Sequence, residues 1–506
     1  MAHLDDTQFM TWGKRLALFG LGLLLSLGQA PFDLTFIYFV ILPFIGWCLR
    51  DIQRSKLGFG IGWWFGFGYF ALTMNWIMEP FLVDVQLTGW MAPFALGFMA
   101  AGLALFWGAA FATAVKIMPT GAGRLVVLAV SWTVFEYLRA NILTGFPWGH
   151  LSYGLVPLPL SQMLAWFGIH GTGLLLLLIC FLPAMFAPRI WHGAMLGVII
   201  LFVIGALGVW RVSDPMPMNP KNTVVRVVQP NAAQDLKWRR DMVDVFYKRQ
   251  LGYTAAKTPK RPDIVIWPET SIPYLLQDSL PILQEIGTAS GPSTSVIAGI
   301  VRRVGDAPRN SLLFLDQVGG VNTIYDKQHL VPFGEYMPFA ALIDRLGLSG
   351  LTGLAGRFQA GQGPRTIAGR NVPDFIPLIC YEAIFPQYSR PQAQGAQWIV
   401  QITNDAWFGN FSGPYQHLAQ ARTRAIESGL PFARSANTGI SAMIDPYGRV
   451  IQSLKLGTAG YFDQTLPAPA PRTFYAKTGE LPWMVFAALL LIYTFMRALR
   501  TPVKKD

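Results

Sequence analysis

Long apolar stretches crowd two parts of this chain and are missing from a third, and that division limits what it can fold into. Runs of roughly 17–25 apolar residues are long enough to cross a bilayer as helices. The sequence predicts eight spans, at approximately 13–30, 34–49, 57–78, 88–115, 124–142, 162–186, 190–210 and 480–497. Residues 213–470, between the seventh and the eighth, read as an ordinary soluble domain. The whole is 52% hydrophobic and 13% charged, against about 25% charged in soluble chains. The expectation is a multi-domain membrane protein: a transmembrane helix bundle at 1–212, a soluble domain at 213–470, and a last span with its tail at 471–506.

The net charge of +12 raises nucleic acid as a partner, but the basic residues form no long stripe with interleaved aromatics, so none is expected. They are better explained by topology. With a cytoplasmic N-terminus, the inner segments hold Lys14, Arg15, Arg50, Arg54, Lys56, Lys116, Arg124, Arg189, Arg497, Arg500, Lys504 and Lys505. The short outer segments hold only Arg139 and Arg211. Basic residues accumulate on the cytoplasmic side, so seven crossings put residues 213–470 outside the cytoplasm, in the periplasm of a bacterium with two membranes. The first apolar run also has the look of a signal peptide, with Lys14 and Arg15 ahead of it and small residues near Ala30; an uncleaved first span is the expectation. Gly58, Gly62 and Gly66 recur every fourth residue without a βαβ context, which fits a small-residue face for helix packing in lipid better than a nucleotide loop. Glu136 and Arg139, three apart near a membrane edge, are read as a pair, with a lipid headgroup as the alternative partner of Arg139.

The soluble part carries short Val- and Ile-rich runs, among them residues 224–230, 263–269, 295–301, 311–315, 375–380, 398–404 and 440–445. Runs of this length ending in turn residues read as strands, and helical stretches such as 235–257 and 414–429 lie between several of them, which points to an α/β domain. "DPYG" at 445–448 reads as a hairpin turn. Cys380 is the only cysteine of this part, Cys48 and Cys180 falling in the spans. Without a disulfide partner in its own domain it is either buried and inert or used. Glu269, after "IVIWP", and Lys327, after "TIYD", stand like Cys380 at predicted strand ends, and Glu335 follows in "VPFGEY". A thiol needs a base to become thiolate, a buried carboxylate can supply one, and an ammonium stabilises both thiolate and oxyanion.

The set "WPE", "YDKQHLVPFGEYMP" and "CYE" resembles the Glu–Lys–Cys machinery of the nitrilase (carbon–nitrogen hydrolase) superfamily. With the multi-span N-terminal half and last span, the chain is similar along nearly its full length to the bacterial apolipoprotein N-acyltransferase family; "GFPWG" and "NDAWFG" add to the match. The resemblance implies a nitrilase-like αββα sandwich above an eight-helix transmembrane bundle, in the bacterial inner membrane. It implies a phospholipid-dependent N-acyltransferase, which moves the sn-1 acyl chain of phosphatidylethanolamine through a cysteine thioester. The acceptor is the N-terminal amine of the diacylglyceryl-cysteine of a lipoprotein. On matching positions it makes Cys380 the nucleophile, Glu269 the general base, Lys327 the oxyanion-stabilising cation and Glu335 a second, orienting glutamate. Trp238, Tyr381 and Glu382 fall near the substrate. The stretch 346–358, with Leu351 and Leu354 among glycines, reads as a mobile lid or a packed loop.

No cofactor is expected, and His3, His150, His170, His192, His329 and His417 show no metal-ligand spacing. His329 and His417 either line the site or are structural. Asn404, Asp405 and Trp407 either shape the pocket or cap the helix near 414. A membrane-anchored amidase using water as acceptor is the rival enzyme, though one anchor would serve it. A transporter is the rival without chemistry, and it would carry more ionisable residues within its spans.

Overall fold

The computed structural model of the protein describes residues 10–213, 215–216, 219, 221–340, 345, 356–390 and 395–500. Residues 346–355, with Leu351 and Leu354 of the glycine-rich stretch, lie outside the described residues. The chain divides into two compact units, one of Met1–Asp214, Phe411–Ala419 and Thr473–Asp506, the other of Pro215–Asn410 and Gln420–Arg472.

In the first unit, helices occupy all eight apolar stretches: α1 (Trp12–Ser26), α2 (Tyr38–Leu49), α3 (Ser55–Thr73), α4 (Ala92–Ile117), α5 (Gly121–Asn141), α6 (Leu164–Met185), α7 (Ile190–Ser213) and, at the other end of the chain, Leu481–Arg500. Among the described residues, five segments are helical and apolar over a length that can cross a membrane: Val85–Ile117, Gly121–Asn141, Pro159–Met185, Ile190–Ser213 and Leu481–Leu499. The remaining three fall short for different reasons. α1 has 15 residues and α2 only 12, while the 19 residues of α3 are diluted by five glycines and two tryptophans.

The glycines of α3 do what their spacing predicts. A methyl group on Gly62 would lie 2.6 Å from the carbonyl oxygen of Trp107 on α4, and one on Gly58 would lie 2.9 Å from Val115, so α3 and α4 approach backbone to backbone. Glu136 and Arg139 of α5 form a buried pair, and Arg139 also donates to the Trp148 carbonyl at 2.8 Å. The guanidinium is thus spent inside the fold.

The second unit is built on two mixed sheets. The first has the order β11-β1-β2-β3-β4-β5 and the second β10-β9-β8-β7-β6. In the first, β1 (Val224–Gln229), β2 (Ile264–Ile266) and β3 (Ser295–Val304) run parallel, joined by crossovers that contain α8 (Arg240–Ala255) and α9 (Leu280–Ser290). β4 (Ala307–Leu315) and β5 (Val321–Asp326) then continue as antiparallel neighbours. In the second sheet β6 (Phe375–Ile379), β7 (Trp398–Thr403) and β8 (Phe432–Ala436) are parallel, with α10 (Gly413–Ser428) between β7 and β8. β9 (Ala442–Ile444) and β10 (Val450–Ser453) form the hairpin around the "DPYG" turn.

The parallel strands are buried on both faces, hence continuous apolar runs rather than alternation. A core of Val265, Trp267, Val296, Ala298, Leu313 and their neighbours fills the first sheet's helix-covered side. β11 (Gly460–Thr465), antiparallel to β1, was not anticipated: it is a half-exposed edge strand without an apolar run. Ligand sites in such sheets form at the carboxyl ends of parallel strands, and β2, β6 and β7 end close together in the region described next.

Candidate functional site

Beyond the end of β2 the chain continues through Trp267 and Pro268 to Glu269. Trp267 is buried and its indole donates to Thr254 Oγ1 at 2.8 Å. Pro268 and Glu269 lie directly on Gly299 of β3, whose amide donates to the Pro268 carbonyl at 3.2 Å. A methyl group at Gly299 would come within 2.6 Å of that oxygen and 2.7 Å of the Glu269 Cα. The bare backbone at 299 is therefore what sets Glu269 in place.

The Glu269 carboxylate is buried and held at both oxygens. Oε1 accepts from Asn310 Nδ2 at 2.7 Å and pairs with Lys327 Nζ at 3.4 Å. Oε2 accepts from the backbone amide of Asn404 at 2.9 Å. Lys327 follows directly on β5; its amide donates to the Asn310 carbonyl at 2.8 Å and its ammonium sits 2.9 Å from Glu335. Glu335 accepts in turn from the Val331 amide at 2.8 Å and from Asn310 Nδ2 at 3.1 Å. Asn310, on β4, thus bridges both carboxylates and also takes the lysine backbone. Sequence reading overlooked it, because a lone Asn before "SLLFL" carries no motif.

Cys380 follows β6, in register with β7 through Ile379 and Ile402. It opens a short 3₁₀ turn, Cys380–Ile384, with φ at +50°, a left-handed conformation that costs a non-glycine residue about 1–3 kcal/mol and is found where surrounding structure enforces it. Its carbonyl is held by Gln401 Nε2 at 3.0 Å.

Burial pushes the Cys380 thiol up, and the Glu269 charge adds to this, while Lys327 and a hydrogen bond with Thr403 oppose it. At Lys327 burial works against the charge, but Glu335 and Glu269, with Cys380 behind them, outweigh it and hold the ammonium well above its ordinary value. The arrangement is a protonated amine between two carboxylates, beside a protonated thiol.

Glu382 is fully buried. It accepts from Tyr325 at 2.9 Å and from the amides of Gln328 at 2.7 Å and Ile379 at 2.7 Å, so it ties the Lys327 segment to the Cys380 turn. Burial raises it to about 7, against those same donors. The Tyr381 ring packs against Phe385 and His329 with centroids at 5.1 and 5.5 Å, and His329 stacks on Phe385 at 4.0 Å. Burial raises the Tyr381 hydroxyl, with Lys327 opposing.

Trp238 is 50% exposed at a small depression shared with Lys237, Phe246, Gln250, Pro268 and Thr270. The Lys237 ammonium lies 5.2 Å from the Trp238 ring and 3.3 Å from the Glu269 carbonyl; burial lowers it to about 8. Asn404 enters the site through its backbone, Asp405 is buried against Arg434 and Trp407 is 41% exposed. His417 belongs to the first unit, its ring 5.6 Å from that of Trp148. Among the described residues no cluster of three His, Cys, Asp or Glu could hold a metal ion.

Two family models match: the N-terminal domain of apolipoprotein N-acyltransferase over residues 21–182, and carbon–nitrogen hydrolase over residues 225–468. Apolipoprotein N-acyltransferase of Rhodopseudomonas palustris is 36% identical, and the match covers 98% of each chain. The chain belongs to the apolipoprotein N-acyltransferase family. The protein of that name from Brucella melitensis is 37% identical over 90% of each chain. Among solved structures, an amidase from Nesterenkonia sp. is similar to 54% of this chain and 98% of its own, with a TM-score of 0.38 and 16% identity. The chain is an acyltransferase with a carbon–nitrogen hydrolase domain and helices fit to span a membrane.

Proposed function

We propose that this enzyme N-acylates lipoproteins, taking the sn-1 acyl chain of a membrane phospholipid, phosphatidylethanolamine, and delivering it to the amine of an N-terminal diacylglyceryl-cysteine. The observation that carries this reading is the buried Glu269–Lys327–Glu335 cluster acting on a thiol presented by the strained Cys380 turn. Cys380 attacks the ester carbonyl while its proton passes to Glu269. Lys327, kept charged by Glu335, steadies the oxyanion. The tetrahedral adduct collapses, the lysophospholipid alkoxide takes the proton back from Glu269, and the acyl chain stays on sulfur as a thioester. The acceptor amine then attacks the thioester and gives its proton to Glu269, and the thiol is restored. Trp238 and Tyr381 are read as lining the substrate, and Glu382 as fastening the turn beside them.

In this reading the catalytic domain, 213–470, is a four-layer αββα sandwich outside the cytoplasm. Spans from 1–212 and 471–506 make an eight-helix bundle in the inner membrane. Both substrates keep their chains in lipid and their reactive groups at its surface, which suits an enzyme carried on its own membrane helices.

The test uses phosphatidylethanolamine labelled in the sn-1 chain. Purified enzyme should acquire a hydroxylamine-sensitive label on Cys380, and a diacylglyceryl-cysteinyl peptide should then remove it as an amide. Free fatty acid released at the same rate with and without peptide would make the enzyme a hydrolase. Label retained by Cys380→Ala would remove Cys380 from the chemistry.

A further inference from the structure

Gln401, Thr403, Asp405 and Arg434 are each 0% exposed, and the scheme above uses none of them. β7 and β8 run parallel with Gln401 beside Arg434, and Gln401 and Thr403, two residues apart, share one face of β7. Gln401 Nε2 donates to the Cys380 carbonyl at 3.0 Å, and its Oε1 accepts from Arg434 Nη1 at 2.5 Å. Arg434 pairs with Asp405 Oδ2. Asp405 Oδ1 accepts from the Thr403 hydroxyl at 2.9 Å. Thr403 directly follows Ile402, the register partner of Ile379, so the paired strands set it beside Cys380, where its side chain favours the thiolate. The circuit begins and ends on one residue, Cys380. Buried polar groups are tolerated only when satisfied, and these four satisfy one another in a chain whose two ends, Gln401 and Thr403, stand at Cys380.

We propose that Thr403 is a further catalytic residue, whose hydroxyl becomes a hydrogen-bond donor to the Cys380 thiolate; this rests on Cys380 being the residue that carries the acyl chain. The hydroxyl has one proton and two acceptors, Asp405 Oδ1 and the sulfur. While the sulfur keeps its own proton, the Thr403 proton serves Asp405. Once the thiol proton has gone to Glu269, the sulfur is an anion and the better acceptor. Rotation about the Thr403 Cβ–Oγ bond then turns the hydroxyl proton to it, and Asp405 keeps Arg434. No proton leaves Thr403; the one lost from sulfur ends on Glu269. The other charges acting on the sulfur are Lys327, which favours thiolate, and Glu269 and Asp405, which oppose it.

The test is the rate at which iodoacetamide modifies Cys380 in the full-length enzyme in detergent, resolved from Cys48 and Cys180 by peptide mass spectrometry. A hydrogen bond to a charged group is worth about one pKa unit or more, partly offset by the greater nucleophilicity of a more basic thiolate. Thr403→Val should therefore slow modification about three- to tenfold and displace the rising limb of rate against pH upward by about one unit. Thr403→Ser should restore both. If Thr403→Val does not fold, Thr403→Ala and Thr403→Ser carry the comparison: a slow Ala variant beside a wild-type Ser variant supports the proposal, and equal rates overturn it. An unchanged rate and limb in Thr403→Val overturn it too. The acyl-label assay separates the two readings. Cys380→Ala that keeps the label removes Cys380 from the reaction and Thr403 with it, whereas label lost in Cys380→Ala beside unchanged alkylation in Thr403→Val rejects Thr403 alone.

Discussion

Asn310 is the residue on which the carboxylates of the site converge, since its side-chain Nδ2 serves Glu269 and Glu335 while its backbone carbonyl takes the Lys327 amide. Asn310→Ala should lower the rate of label transfer to Cys380 about 10- to 100-fold, the value of a hydrogen bond to a charged group; a rate within error of wild type would make Asn310 a bystander. Glu269→Gln should be worse, roughly 10²–10⁴-fold, and Lys327→Met about 10²–10³-fold, both read in the same single-turnover assay. The thiol makes a prediction in pH. Burial holds Cys380 protonated, so thiolate appears only at high pH. Its alkylation should still be rising at about pH 10, where an exposed thiol, with a pKa of about 8.5, has levelled off. A plateau below about pH 8 would mean that Lys327 overrides burial and that the resting state is an ion pair.

At the scale of elements, the site depends on how strand ends are stacked. β2 stops at Ile266, and Pro268, Glu269 and Thr270 lie on Gly299, with no space for a side chain between them. Gly299→Ala should push Pro268 and Glu269 off the sheet. The strain expected of an overpacked core is roughly 1–3 kcal/mol, read as a lower thermal midpoint in detergent, with acylation reduced at temperatures where the variant is still folded. A variant with wild-type midpoint and rate would show that the strand end can shift without consequence. The Cys380 turn is held in a complementary way, with Glu382 beneath it and Gln401 on its carbonyl. The left-handed φ is thus enforced from two sides.

For the whole molecule, the distribution of basic residues makes the most exposed prediction. Twelve lysines and arginines fall on one side of the proposed spans and two on the other. A reporter active only outside the cytoplasm, fused near Ser290, should be active, and one fused after Arg500 silent; the reverse pattern would invert the topology. The apolar helices and the carbon–nitrogen hydrolase domain belong to one chain, which suits the lipid substrates of the proposed function.

The sequence by itself determined where the apolar helices and the buried strands lie, because that information is local. Apolar runs marked eight helices, although α1 and α2 are too short and α3 too rich in glycine to qualify as spans on length and composition. Val- and Ile-rich runs marked the buried strands, and Glu269, Lys327 and Cys380 stood out as polar residues at the ends of such runs. Motif resemblance supplied their grouping; composition and spacing had left a buried, inert cysteine equally open. Only the tertiary structure decided the rest. Asn310 meets Glu269 because β2, β3 and β4 are neighbours, and Gln401 meets Arg434 because β7 pairs with β8. β11 finds β1 across more than 200 residues of chain. Those pairings are set by which strands lie side by side, and a hydrogen bond between side chains on different strands leaves no periodic trace in either one. Polar Gln401 and Thr403 inside the buried strand "WIVQIT" were the one visible sign that something had to be satisfied there.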